Sequence, residues 1–181
     1  MLAVAALAAI AIAVAAGGGS SGTSSTAKPS AQLAASARAA GCELHSYPNF
    51  GQEHTTAKVT YKSNPPTSGP HNPVPANDGI YDAGGSPPVG KTVHALEHGR
   101  VEVQWKPGLP AAQIAQLQSA VNAQNGGRHA LVFQNQTGMP YQVAATAWQH
   151  LLGCPRFTPA VFGAIRDFRT SYTDTAPEKI P

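Results

Sequence analysis

The chain is poor in charge. Only 12% of its 181 residues are Asp, Glu, Lys or Arg, about half the ~25% usual in soluble domains. Twelve cations against nine carboxylates leave a formal +3. That is too small a basic footprint for nucleic acid, and it implies no strongly acidic partner. Thiols are equally scarce. The two cysteines, Cys42 and Cys154, form no C-x-x-C, which excludes a thioredoxin-type redox pair. Ser68 has His71 nearby but is not set in a G-x-S-x-G elbow, so a serine hydrolase finds no support. What the chain has in excess is Gly (18), Pro (16) and, against two cysteines, seven His. The first two predict a loop-rich fold; the third points to chemistry carried by imidazoles.

Leu2 to Ala16 contains only Leu, Ala, Val and Ile. This run is short for a spanning helix, which wants ~20 residues, and suits a secretory apolar region of ~7–15. Ala13-Val14-Ala15 supplies small residues for a signal peptidase, whereas no Lys or Arg precedes Lys28. We read residues 1–16 as a signal peptide or an N-terminal membrane anchor, helical in either case. Cys42 lies too far along to be a lipobox cysteine. The rest of the chain is expected outside the cytoplasm, membrane-attached or secreted. Residues 17–40 read as a flexible linker and spacer: Gly/Ser/Thr-rich at first, then an Ala-rich piece with Ser30 as a helix cap and only Leu33 to pack.

The folded domain is expected over residues 41–181, enough for one core. Two cysteines in an exported chain usually pair, so a Cys42–Cys154 disulfide is expected, with separate thiols or a soft metal ligand as the alternatives. Val59 and Tyr61 suggest a strand over 57–61. Residues 64–88 form a long loop rich in Pro, Gly, Asn and Asp, of the kind that is functional or disordered. Val101, Val103 and Trp105 alternate with Arg100, Glu102 and Gln104, predicting a half-buried strand with Arg100 and Glu102 facing water. An amphipathic helix follows over 110–124, ended by Gly126-Gly127. Strands at 130–133 and 141–148 come next, and Thr158-Pro159 starts a helix burying Val161, Ile165, Phe168 and Tyr172. Trp105 and Trp148 read as core. The order indicates a small single α+β domain with a short mixed or antiparallel sheet and two packed helices.

Two segments carry the chemistry. Val93-His94-Ala95-Leu96-Glu97-His98-Gly99 contains H-x-x-E-H, an inverted zinc-protease pattern. That activity needs a helix, and Gly99 with the strand behind it argues against a long one. A single turn still brings His94 and His98 to one face. Asn64-Pro65-Pro66-Thr67-Ser68-Gly69-Pro70-His71 is the second. Its prolines stiffen the backbone and hold the His71 imidazole on irregular chain.

These segments, with Tyr61, Gly79-Ile80-Tyr81, Ala145-Thr146-Ala147-Trp148 and the closing Ala176-Pro177-Glu178, resemble the family known as domain of unknown function 3105 over about residues 41–178. His54 stands where the family typically has a His. The resemblance implies a bacterial protein with an N-terminal membrane segment and an outward-facing domain, and it implies no activity. The chain departs from the family at Asp78, where some relatives have Cys, and at Gln149-His150, so His150 is not assigned to any site.

His54, His71, His94 and His98 are expected to converge on one metal ion, with Glu97 as ligand or supporting group. Three or four neutral imidazoles suit copper or zinc. Met139 offers a soft sulfur but reads as core filler. The alternatives are a metal-free His/Glu network in an exported interaction domain, and a metal-dependent hydrolase with Glu97 as general base. His45 beside Cys42 and His129 after Gly126-Gly127-Arg128 read as solvated. The only partner read from the sequence is the membrane, through the N-terminal segment; no protein partner is.

Overall fold

The computed structural model describes residues 28–178 and 180. The apolar run Leu2–Ala16 and the Gly/Ser/Thr stretch lie outside the described residues. Among those residues no helix is long and apolar enough to cross a membrane.

Period-two alternation builds the sheet. In β3 (Val101–Trp105) the odd residues Val101, Val103 and Trp105 enter one core, and the same alternation runs through β4 (Ala130–Gln134), β5 (Val143–Ala147) and β6 (His150–Cys154). With β1 (Glu43–Ser46) and β2 (Gly79–Ile80) they form one mixed sheet in the order β1-β6-β5-β3-β4-β2. The β3–β4 and β4–β2 pairs are parallel and the other three antiparallel. A parallel pair needs a crossover, and α3 (Ala111–Ala123) supplies it between β3 and β4, burying Leu117 and Val121. The second predicted helix is α4 (Ala160–Tyr172), with Val161, Ile165, Phe168 and Tyr172 all buried as expected. The α+β reading therefore holds, with a mixed sheet; β1, β2 and β6 were not read from the sequence.

Four expectations need correction. The Ala-rich stretch is not a spacer. It is helix α1 (Ala31–Ala40), capped by the Ser30 hydroxyl, which accepts from the Leu33 N–H at 3.2 Å. Leu33, Ala37 and Ala40 join the main core against α4. Small alanines allow that close approach, so the folded unit begins near residue 30 rather than 41. Residues 57–61 form no strand. Their neighbours are used otherwise: a short parallel bridge pairs His54 with His71, and the Tyr61 hydroxyl donates to the Pro70 carbonyl at 3.1 Å.

The H-x-x-E-H motif lies on a full helix, α2 (Val89–Glu97). Gly99 is its stop signal. At φ +79° it donates to Leu96 O, and the next N–H, of Arg100, donates to Ala95 O, which is a Schellman cap. The chain can then turn at once into β3. Finally, β3 has no wet face. Glu102 and Gln104 are buried, because α2 and the long loop cover the side of the sheet opposite α1, α3 and α4.

Cys42, directly after α1, is bonded to Cys154 at the end of β6, across 112 residues of sequence. A disulfide closing a loop that long is worth roughly 4–5 kcal/mol in the chain-entropy picture.

Candidate metal centre

The loop around His71 is laced to its surroundings by backbone hydrogen bonds. Its N–H donates to Glu53 O at 3.0 Å, and its carbonyl accepts from Thr55 N at 2.7 Å. The next residue, Asn72, donates its N–H to Gly90 O at 3.1 Å, tying the loop to the start of α2. Gly69 makes the bend possible, at φ +129° and with the Tyr61 ring only 3.3 Å from where a Cβ would stand. The His54 backbone, the His71 backbone and the start of α2 are therefore tied into one hydrogen-bonded block.

Within that block the ring protons are assigned by their partners. His71 Nδ1 is 2.8 Å from Gly69 O and His94 Nδ1 is 2.6 Å from Asn72 O. A carbonyl only accepts, so each Nδ1 carries a proton, and Nε2 is the nitrogen left to each ring for a ligand bond. His71 Nε2 lies 3.0 Å from Glu97 Oε2, yet the approach is out of line for an N–H···O bond and the atom, fully buried, has no hydrogen-bond partner. Glu97 is also buried, and its other oxygen accepts from Gln52 Nε2 at 2.7 Å. An unpartnered ring nitrogen and a carboxylate oxygen thus face each other out of water.

His54, His71, His94 and Glu97 bring four potential ligand atoms within 4.8 Å of one another. Three members are buried and His54 is exposed. His98 does not join them. One helical turn beyond His94, it belongs to a second group, His94, His98 and Glu178, with the same spacing limit. His94 Nε2 is 2.9 Å from His98 Nε2, and His98 Nε2 is 3.2 Å from Glu178 Oε2. The expected convergence of five residues is therefore two overlapping groups that share His94. Burial, chiefly, lowers the His94 pKa, and the neighbouring imidazoles lower it further against the opposing pull of the Asn72 carbonyl. Burial likewise lowers His98, with Glu178 pulling the other way. Both effects keep the rings neutral, the form that binds metal.

Several contributors escaped the sequence reading. Glu178 was visible only as part of the closing Ala176-Pro177-Glu178 segment. Its backbone N–H donates to Glu97 O at 3.1 Å, and Arg100 holds the following chain through Ile180 O at 2.7 Å. Arg100, expected to face water, also donates to Asp78 Oδ1 and His98 O. Trp148 is core, as expected, and presents its ring edge-on to His71 at 6.1 Å between centroids.

Of the remaining readings, those of Met139, His45 and His150 stand and those of His129 and Glu102 do not. Met139 is fully buried with Tyr141, Ala144 and Leu151 in a hydrophobic cluster, the core filler it was read as. His129 is not solvated: it is buried, and its Nδ1 meets Asp174 Oδ1 at 2.6 Å. His45, partly exposed, pairs with Glu43. His150 stacks on Tyr172 at 4.0 Å, with its pKa pushed down to about 4 by burial, and belongs to neither group. Glu102, expected to face water, is the most perturbed carboxyl. Burial pushes its pKa up to about 7, although Thr146 (2.9 Å) and Gln104 (2.7 Å) donate to it. Its Oε1 has no partner.

Residues 53–180, which contain every member of both groups, match a family described as a protein of unknown function, DUF3105. No curated protein and no solved structure matches the chain.

Proposed function

The chain belongs to the DUF3105 family, and from its buried His/Glu cluster we propose that it is an extracytoplasmic metal-binding domain. It holds one copper or zinc ion through His54, His71, His94 and Glu97. The observation that carries this reading is the bare, buried Nε2 of His71 set against the Glu97 carboxylate. A buried ring nitrogen and carboxylate oxygen in that position lack both a hydrogen bond and water; a cation between them supplies a partner to each. Three imidazoles and one carboxylate suit a divalent ion of borderline softness. With bonds of ~2.0–2.1 Å a tetrahedral site has edges of about 3.3 Å. The His71–Glu97 separation of 3.0 Å is already close to that edge.

The Gly69 and Asn72 carbonyls serve as the outer partners that orient metal-binding imidazoles. The Cys42–Cys154 disulfide supports a compartment outside the cytoplasm, with Leu2–Ala16 as the signal or anchor. A hydrolase using Glu97 as general base draws less support, since one Glu97 oxygen is engaged by Gln52 and the other faces His71.

The experiment is metal analysis of the purified chain after chelation and reloading, with calorimetric titration by Cu(II) and Zn(II). One ion per chain is expected, with His71→Ala and Glu97→Gln each weakening binding at least tenfold. If the unsubstituted protein takes up neither ion, the cluster is a metal-free network and the reading fails.

A further inference from the structure

His94 belongs to both groups of potential ligands, yet it has one lone pair to give. Its Nδ1 proton is held by Asn72 O at 2.6 Å, so only Nε2 can bind. Nε2 lies 2.9 Å from His98 Nε2, and His71, His54 and Glu97 bring their own potential ligand atoms within 4.8 Å of one that His94 offers. Two ions cannot both use that nitrogen, and no carboxylate belongs to both groups to bridge them. The outer group also differs in character. It has three ligands rather than four, and Glu178, its one carboxylate, is exposed at the surface. Glu178 is nevertheless positioned, because its own N–H is bonded to the carbonyl of Glu97, a ligand of the inner group.

We propose that one transition-metal ion moves between an outer position at His98 and Glu178 and an inner position at His54, His71 and Glu97 by ligand exchange on His94. This rests on the metal-binding reading above. Moving inward, the bonds from the ion to His98 Nε2 and Glu178 Oε2 break. Bonds to His71 Nε2, Glu97 Oε2 and His54 form, while the bond to His94 Nε2 is kept. The ion's oxidation state does not change. The freed His98 takes its ring proton back from Nδ1 to Nε2 through water and donates it to Glu178, 3.2 Å away. The outer position, with Glu178 at the surface, is where the ion enters and leaves; the inner position is where it is retained.

The test follows Cu(II) uptake by the full chain, stripped by chelation, in a stopped-flow instrument. Trp148, against His71, reports arrival at the inner position as fluorescence quenching. Release is followed by adding excess EDTA. Glu178→Gln, at an exposed side chain, and His98→Ala should each still bind one ion. Both uptake and release should slow tenfold or more. His71→Ala should instead lose retention while keeping a weak, rapidly exchanging ion. Wild-type rates in both outer variants would overturn the relay, since the ion would then pass by the exposed His54. Saturation at two ions per chain would overturn it too. No uptake by the unsubstituted protein would overturn the metal-binding reading itself and the relay with it.

Discussion

Replacing Glu102 by Gln should flatten the pH dependence of stability in the metal-free protein. In the folded state burial raises this carboxyl from 4.5 to about 7. A raised acid pKa favours the protonated form on folding. The group therefore costs nothing below about pH 4.5, costs progressively more from there to about pH 7, and carries its full penalty above that. For pKa values of 4.5 unfolded and about 7 folded, linkage gives a loss of roughly 2–3 kcal/mol between pH 5 and pH 8. Gln has no such titration. Its amide keeps an acceptor for the Thr146 and Gln104 donors, and any cost of an unpaired NH2 at the orphaned Oε1 position is the same at every pH. The assay is urea unfolding of both proteins with EDTA at pH 5 and pH 8, provided the denaturant slopes agree. The wild type should lose about 2–3 kcal/mol more than the variant across that interval. Equal losses would refute the reasoning and mean that Glu102 is ionised at no cost, through solvent or a cation that reaches it.

Leu33→Ala should destabilise the domain by about 2–5 kcal/mol in chemical unfolding, because it empties a fully buried site between α1 and the main core; a change below about 0.5 kcal/mol would return residues 31–40 to spacer status. Reducing Cys42–Cys154 should cost about 2–5 kcal/mol, read as a shift in urea midpoint with and without reductant. Gly99→Ala should lower stability by more than about 1 kcal/mol and reduce helix content, since the new Cβ would stand 2.8 Å from Asp174 Cα at a backbone angle that favours glycine.

The sequence exposed the parts of the fold whose signals are local. The apolar stripes of α3 and α4 and the alternation of β3 each repeat within a few residues, and each stands where it was read. Signals that depend on distant chain were misread. Alternation says that Glu102 and Val103 face opposite ways, but not whether the second side meets water; here α2 and the long loop close it. Gly99 was weighed as an obstacle to a helix when it was the helix's end. His129 is buried through Asp174, 45 residues later. The candidate site was legible in its residue types, because His54, His71, His94 and Glu97 sit in Gly- and Pro-framed segments. That His71 and His98 fall into different groups, which share His94, was not legible, because it is a fact of tertiary packing.

The position of the disulfide has a mechanical consequence. If the domain is tethered on its N-terminal side, any pull enters at α1, which can shear away from α4. Unravelling then stops at Cys42, where the load passes through a covalent bond into Cys154 and the β-ladder of β6 and β5. The clustered imidazoles lie on the other side of the sheet, on α2 and in loops laced to it rather than to α1. A tugged tether thus strains a staple and a helix while the histidine cluster keeps its geometry.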